Sequence, residues 1–179
     1  MHSKSRLVEK PTPQKWSLQQ TLCDWGQEHI WTQFCNTGDD QWIIDAYSRG
    51  SLVLCHDGSY MPHQDTSRCL AAVLIVCTHY ALQAHVVYCE HSDSYTASNY
   101  RGEIIGRVLA TLLLWALSKI AQPPPSEASI PIYCDNLGIV CHGNAYHQAL
   151  PEKQVQQDVL FLLKRNLMAL PHNVMYKQV

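Results

Sequence analysis

The sequence predicts an α/β domain with a mixed five-stranded sheet and helices on both faces. Apolar and β-branched runs at 51–55, 68–78 and 83–90 follow one another with turns between them, which is typical of an antiparallel meander. A long apolar segment, 100–121, then predicts a buried helix. After three prolines, the run 130–134 predicts a strand that a crossover makes parallel to the first.

The remaining elements complete the order βββαβααβ. Ser98 or Asn99 can cap the long helix, because both side chains accept hydrogen bonds from the first turn. Residues 137–143 predict a short helix, residues 153–170 a longer one, and residues 172–179 a last strand. The sheet is therefore expected to contain three antiparallel strands followed by parallel ones.

Two segments precede the predicted domain, which is expected to span 51–179. Residues 1–15 contain four Lys or Arg and two Pro with few apolar side chains, which indicates a flexible tail. Residues 16–50 are interpreted as a helical preface or connection region, with one helical pattern at 16–34 and a second short helix at 41–47.

Composition restricts the partners and the compartment. The net charge is −2 and the pI is near 6.5, so any attraction to nucleic acid must come from a local site. The eight cysteines form no C-x-x-C pair, which indicates free thiols in a reducing compartment and gives no zinc spacing. The most apolar segment, 104–117, is shorter than the roughly 20 residues of a membrane span. We expect an intracellular protein, cytoplasmic or nuclear, without a membrane partner.

Three carboxylates are predicted to converge at one edge of the sheet. Asp57 and Asp135 each follow a buried strand, and ligands of open α/β sheets bind beyond the carboxyl ends of strands. Glu103 is placed in the first turn of the long helix, where side chains lean toward the helix N-terminus. Such carboxylates repel one another unless they hold a cation, and hard oxygen ligands suit Mg²⁺ or Mn²⁺.

Each carboxylate also has a purely structural interpretation. The stretch Asp57-Gly58-Ser59 is a common turn sequence. Glu103 could pair with Arg107 on a helix surface, an interaction worth roughly 0.3–0.5 kcal/mol, and Asp135 could cap the following helix. Asp158 is assigned to a solvated helix face.

Taken together, the motifs resemble those of the ribonuclease H domain, in particular the form embedded in reverse-transcriptase polyproteins of retroelements. The resemblance covers about residues 51–179. Asp57-Gly58-Ser59-Tyr60 is similar to the first-strand motif, and Asn99-Tyr100-Arg101-Gly102-Glu103 to the N-x-R-x-E motif of the central helix. Cys134-Asp135-Asn136 is similar to a third motif that is usually T-D-S or S-D-S, and the spacings of 46 and 32 residues between the carboxylates fit this order.

The resemblance implies a ribonuclease H-type endonuclease that hydrolyses the RNA strand of RNA–DNA hybrids with two divalent ions. It implies that Asp57 bridges both ions and that Glu103 and Asp135 complete their shells. It also implies an adjacent reverse transcriptase domain as partner. Four residues are assigned to substrate binding, the asparagines by contact with the RNA strand: Gly58, Ser59, Asn99 and Asn136.

The family pattern also includes a fourth carboxylate on a helix after the last strand, preceded by a Gly-His loop, whereas this sequence stops at Val179. His172 precedes the last strand and so does not match that histidine. We therefore expect a truncated site with poor activity. Two other functions stay open: an integrase- or transposase-like nuclease acting on DNA, and a degenerate non-catalytic fragment. The position of Glu103 on the helix after three strands disfavours the integrase type, whose glutamate usually lies on a later helix.

Overall fold

A computed structural model describes residues 17–24, 28–91, 96–144 and 156–179. The helices are α1 (Leu18–Asp24), α2 (Glu28–Trp31), α3 (Gln41–Arg49), α4 (Asn99–Ile120), α5 (Leu137–Asn144) and α6 (Gln157–Ala169). The strands are β1 (Phe34–Asn36), β2 (Leu52–Tyr60), β3 (Arg68–Cys77), β4 (Gln83–His91), β5 (Ile130–Cys134) and β6 (Val174–Gln178). The tail predicted at 1–15 lies outside the described residues, and so does the start of the helix predicted at 153–170.

One mixed sheet with the strand order β1-β4-β3-β2-β5-β6 forms the centre of the fold. β2, β3 and β4 pair antiparallel, while β5 pairs parallel with β2 and β6 parallel with β5. The predicted α/β class and the change from antiparallel to parallel pairing are thus confirmed. The sheet has one strand more than predicted, because Phe34–Asn36 joins its edge by pairing with β4.

The long helix α4 forms the core against the sheet. The Ser98 hydroxyl oxygen accepts a hydrogen bond from the Arg101 backbone N–H at 3.1 Å and so caps the helix, as the sequence allows. Leu113, Leu114 and Ala116 are at most 1% exposed. Burial of each such leucine contributes about 1.5–3 kcal/mol to stability. The helix packs on β2, β3 and α6.

Glycines allow α4 and β2 to touch through their backbones. A Cβ atom on Gly58 would overlap the backbone nitrogen of Glu103, and one on Gly106 would lie 3.2 Å from the Asp57 carbonyl oxygen. A Cβ on Gly102 would lie 3.3 Å from Gly58 Cα. No larger residue fits at Gly58 without separating the two elements. This contact places the start of α4 directly beside the end of β2.

Part of the sheet face opposite α4 is exposed in the described part of the chain. Leu70 and Leu74 of β3 and Val87 of β4 are 36%, 39% and 44% exposed there, whereas the alternate residues of β3 are buried, as are Ala84 and Val86 of β4.

Residues 17–24 and 28–50 pack against the sheet and α4. Leu18 and Leu22 of α1 are fully buried, and α1 packs on α4. The helix α3 continues two residues beyond the predicted 41–47 and is capped by Gly50, which adopts a φ of 69° that glycine tolerates best. The predicted helical pattern at 16–34 is wrong for Phe34, which begins β1. No described helix is both long and apolar enough to pass through a bilayer.

Candidate active site

Asp57, Glu103 and Asp135 lie together, each with a carboxylate oxygen within 4.8 Å of the others. The pairing of β2 with β5 explains how the two aspartates meet. Leu54 pairs with Ile132, and each aspartate lies three residues further along its strand direction. Because neighbouring parallel strands are about 4.8 Å apart, equal offsets place the aspartates side by side.

Two details differ from the predicted placement. The ladder between β2 and β3 continues to the pair Tyr60 and Cys69, so Asp57 lies within its strand instead of after it. The helix α4 begins at Asn99, so Glu103 is its fifth residue and lies just beyond the first turn. The three carboxylates still lie together despite these differences, because α4 contacts β2 closely at Gly58.

Burial and mutual repulsion set the charge of the site. Asp57 and Asp135 are exposed, whereas Glu103 is only 5% exposed. Burial raises the pKa of Glu103 to about 7; the Cys134 thiol opposes this by donating a hydrogen bond, and the charges of Asp57 and Asp135 add to it. A cation placed among the three would favour the ionised form of Glu103.

Comparison with solved structures decides the fold. No protein-family model and no curated protein matches the sequence. The chain is similar to the crystal structure of LC11-RNase H1 in complex with an RNA/DNA hybrid, with a TM-score of 0.55 and 9% identity over 72% of this chain and 84% of that one. The chain has a ribonuclease H-like fold. It is also similar to RNase H1 from the halophilic archaeon Halobacterium salinarum NRC-1, with a TM-score of 0.50 and 10% identity over the same shares.

Two residues of this ribonuclease H-like domain that sequence reasoning missed flank Glu103. His56 Nδ1 lies 3.7 Å and Cys134 Sγ 3.5 Å from Glu103 Oε2. Burial, with a further contribution from the Arg107 charge, lowers the pKa of His56 to about 3, so the ring is neutral at physiological pH. Burial, with the Glu103 charge adding to it, raises the pKa of Cys134 to about 12. The only sequence signal was that each residue directly precedes a site aspartate.

The residues assigned to substrate binding occupy different environments. Asn99 is exposed at the start of α4, and Ser59 is half-buried near the end of β2. The Gly58 N–H donates a 2.8 Å hydrogen bond to Asp57 Oδ1, so this glycine also orients a carboxylate. Asn136 Oδ1 accepts from the Ile139 N–H at 3.2 Å. The capping role considered for Asp135 is therefore performed by Asn136.

Arg101 of the N-x-R-x-E stretch holds the start of α4 in place. Its guanidinium donates to Glu90 of β4 at 2.7 and 3.0 Å and to Asp158 of α6 at 2.8 and 3.1 Å. A further bond of 2.6 Å reaches Gln156 Oε1. Burial alone would lower the pKa of Arg101, but its bonds to Asp158 and Glu90 raise it overall. Asp158, predicted on a solvated face, is 64% exposed and yet paired.

Arg107 does not pair with Glu103, although the spacing of four residues would allow it. It is fully buried, donates to the Ile139 carbonyl oxygen and lies 3.2 Å above the centre of the Tyr176 ring. Arg107 thus connects α4 to α5 and β6. The Glu103 carboxylate is therefore not paired with Arg107 and lies beside Asp57, Asp135, His56 and Cys134.

Proposed function

We propose that this chain is a metal-dependent endonuclease that hydrolyses the RNA strand of RNA–DNA hybrids. The observation that carries the proposal is the convergence of Asp57, Glu103 and Asp135 on a ribonuclease H-like fold. A protein similar in structure was solved in complex with an RNA/DNA hybrid, which supports this choice of substrate. The exposure of the two aspartates leaves the site open to a large polymer.

The donor set fits Mg²⁺ or Mn²⁺, because it consists of carboxylate oxygens from three separate elements. A dication would also offset the repulsion that helps to raise the pKa of Glu103. Two ions, when bound, would activate a water molecule and stabilise the leaving 3′ oxygen. We propose that the carboxylates of Asp57, Glu103 and Asp135 would hold these ions.

The described residues hold these carboxylates before any ligand arrives. The Gly58 N–H orients Asp57, and the glycine contact sets the distance of Glu103 from β2. Asp135 directly follows β5, which pairs with β2. Because these side chains are already in place, the protein does not need to rearrange them during the reaction. We assign contact with the hybrid to four residues on elements that end at this edge: Gly58, Ser59, Asn99 and Asn136.

We further propose that the domain functions within a retroelement polyprotein, next to a reverse transcriptase domain. The combination of the Asp57, Glu103 and Asp135 motifs supports this origin by resemblance. In this proposal residues 51–179 form the nuclease unit and residues 16–50 the preface or connection region. The eight cysteines are all free thiols, which supports an intracellular location in the cytoplasm or nucleus.

The test is a cleavage assay with end-labelled RNA–DNA hybrid, RNA duplex, DNA duplex and single strands, each with Mg²⁺ or Mn²⁺. We expect cutting of the RNA strand of the hybrid alone. Among the described residues the cluster offers three carboxylates, so weak cutting should appear with Mn²⁺ first, because Mg²⁺ demands a more regular shell. Asp135→Asn should abolish it. Asp45→Asn, the same change at an exposed acid on α3, should not.

The other outcomes separate the two competing functions. Cutting or joining of DNA with the same Asp135 dependence would favour an integrase- or transposase-like nuclease. Absence of any cutting, together with absence of Mn²⁺ binding by calorimetry, would favour a degenerate non-catalytic domain. Equal activity of Asp135→Asn and Asp45→Asn would contradict the site itself.

A further inference from the structure

A second group of side chains of the kinds that bind metals adjoins the carboxylate cluster and is buried. His56, Glu103 and Cys134 are all buried, and each offers one ligand atom within 4.8 Å of the other two. Cys134 Sγ lies 3.5 Å and His56 Nδ1 lies 3.7 Å from the same oxygen, Glu103 Oε2. Glu103 therefore belongs to two adjoining groups, one made only of oxygens and one of mixed donors.

His56 supplies an independent sign that this group binds something. The residue is 2% exposed, and neither ring nitrogen has a hydrogen-bond partner among the described residues. The distance of 3.7 Å to Glu103 exceeds a hydrogen bond. A buried polar group without a partner costs about 1–3 kcal/mol, and an apolar side chain would fill the same space without that cost. An imidazole retained here points to a ligand.

We propose that His56 Nδ1, Cys134 Sγ and the Glu103 carboxylate form a zinc site, separate in chemistry from the site of the oxygen-binding ions. Zinc takes nitrogen, sulfur and oxygen ligands in tetrahedral geometry, and three protein ligands leave the fourth position for water. The sequence spacing that usually marks zinc sites is missing because the ligands come from three separate elements, β2, α4 and β5.

The distances fit such a site. Zinc lies about 2.0–2.1 Å from nitrogen, about 2.3 Å from sulfur and about 2.0–2.2 Å from oxygen. A tetrahedral arrangement of these bonds separates nitrogen from oxygen by about 3.4 Å and sulfur from oxygen by about 3.6 Å. The observed separations at Glu103 Oε2 are 3.7 Å for His56 and 3.5 Å for Cys134. The third separation, between His56 and Cys134, is within 4.8 Å, compared with about 3.6 Å in a tetrahedral site.

The charges also fit zinc in a buried place. A neutral His56, a Cys134 thiolate and an ionised Glu103 carry two negative charges, which one Zn²⁺ balances. The thiol proton, and the Glu103 proton in molecules that hold it, leave to solvent as the metal binds. Buried ions are tolerated when they are paired in this way. Mg²⁺ favours oxygen ligands and keeps its water, so it is a poor match for the imidazole and the thiolate.

Zinc bound at this site would weaken metal binding at the neighbouring carboxylate cluster. The effect on cleavage rests on the proposed nuclease function. Glu103 cannot serve both sites fully, because its charge is offset once zinc is bound. Zinc should therefore inhibit cleavage that depends on Asp57, Glu103 and Asp135. The zinc site itself does not depend on that activity, so the two ideas can fail separately.

Cobalt spectroscopy of the full chain tests the site. Co²⁺ replaces Zn²⁺ in such sites and gives a near-ultraviolet absorption band when a thiolate binds it. We expect one equivalent of Co²⁺ to produce the band and Zn²⁺ to displace it. Cys134→Ser should remove the band, and His56→Gln should weaken Co²⁺ binding by more than about 100-fold, since even a group behind a ligand is worth ~10–100-fold. Cys77→Ser, a buried thiol outside the group, is the control.

A second measurement needs no variant. Zn²⁺ should slow the alkylation of Cys134, followed by peptide mass spectrometry, while leaving the rate at Cys77 unchanged. An absent band, a band that survives Cys134→Ser, or equal alkylation of Cys134 with and without Zn²⁺ would overturn the proposal. A normal band combined with no nuclease activity would sustain the zinc site and refute only the proposed function.

Discussion

Glu103 is the residue whose surroundings change its chemistry most. Burial raises its pKa to about 7 from the ordinary 4.5, so in the absence of metal the folded chain keeps this proton to a higher pH than the unfolded chain does. Between these two values the folded state binds more protons. The stability associated with the protonated group is therefore fully present below pH 4.5 and is lost as the pH rises through about 7.

Glu103→Gln should remove this pH dependence, because an amide does not ionise. With a chelator present, the free energy of unfolding of the variant minus that of the unchanged protein should rise between pH 4.5 and 8, by on the order of 1–3 kcal/mol. Urea denaturation across that range measures the difference. Parallel pH profiles for the two proteins would show that Glu103 is not perturbed.

Gly58→Ala should destabilise the protein strongly, because the added methyl overlaps the backbone of Glu103. We expect a loss of about 1–3 kcal/mol or more in the free energy of unfolding, together with weaker Mn²⁺ binding as α4 moves away from β2. Gly38→Ala is the matched control, since its methyl would lie 3.7 Å from Trp42, an ordinary contact. Equal effects of the two changes, measured by urea denaturation, would contradict the close contact.

The meeting of the three carboxylates could be predicted from the order of the strands and the helix, although Asp57 lies inside β2 and Glu103 lies just beyond the first turn of α4. The approach of His56 and Cys134 to Glu103 could not, since it depends on the pairing of β2 with β5 and on the depth of α4 against the sheet. The glycine contact was likewise hidden, because Gly58 and Gly102 are far apart in the chain and meet only after folding.

Elements with strong local signals were predictable and those determined by a partner were not. The helix α4 was expected at 100–121 and spans Asn99–Ile120, because its capping residue and the prolines after it mark both ends. The strand β1 has three residues, too few for a periodic pattern, and forms because β4 offers it an edge.

The hydrogen bonds of Arg101 to Glu90 and Asp158 are expected to stabilise the packing of α4 with β4 and α6. Arg101→Met leaves the partly buried Glu90 without its cation, so we expect a loss of about 3–5 kcal/mol in the free energy of unfolding. Asp158→Asn should cost less than about 1 kcal/mol, because that side chain is 64% exposed. Urea denaturation of both variants measures the ratio. Equal losses would mean that the exposed ion pair between Arg101 and Asp158 accounts for the stabilisation.

At the scale of the whole molecule, charge limits how this chain can hold a nucleic acid. From residue 51 onward there are eight Lys or Arg and nine Asp or Glu. Two of these cations, Arg101 and Arg107, are buried and engaged within the protein. Few positive charges therefore remain to neutralise phosphates.

Binding of an RNA–DNA hybrid by this chain alone should accordingly be weak and should fall as the salt concentration rises. Each phosphate neutralised contributes a slope of about −0.9 in log affinity against log salt, so we expect a slope of only a few units. Fluorescence anisotropy with a labelled hybrid in Ca²⁺ measures it from low to moderate salt. Tight binding that salt leaves unchanged would show that shape and hydrogen bonds, and not charge, hold the hybrid.

The parallel pairing of β2 with β5 has a consequence for ion size. Asp57 lies on β2 and Asp135 directly follows β5, so the pairing of these two strands brings the backbones of the two aspartates close together. Mg²⁺ needs oxygens at about 2.0–2.1 Å, whereas Ca²⁺ needs about 2.3–2.6 Å and more of them. Because the paired strands keep the two backbones close together, we expect the site to favour an ion of small radius over Ca²⁺.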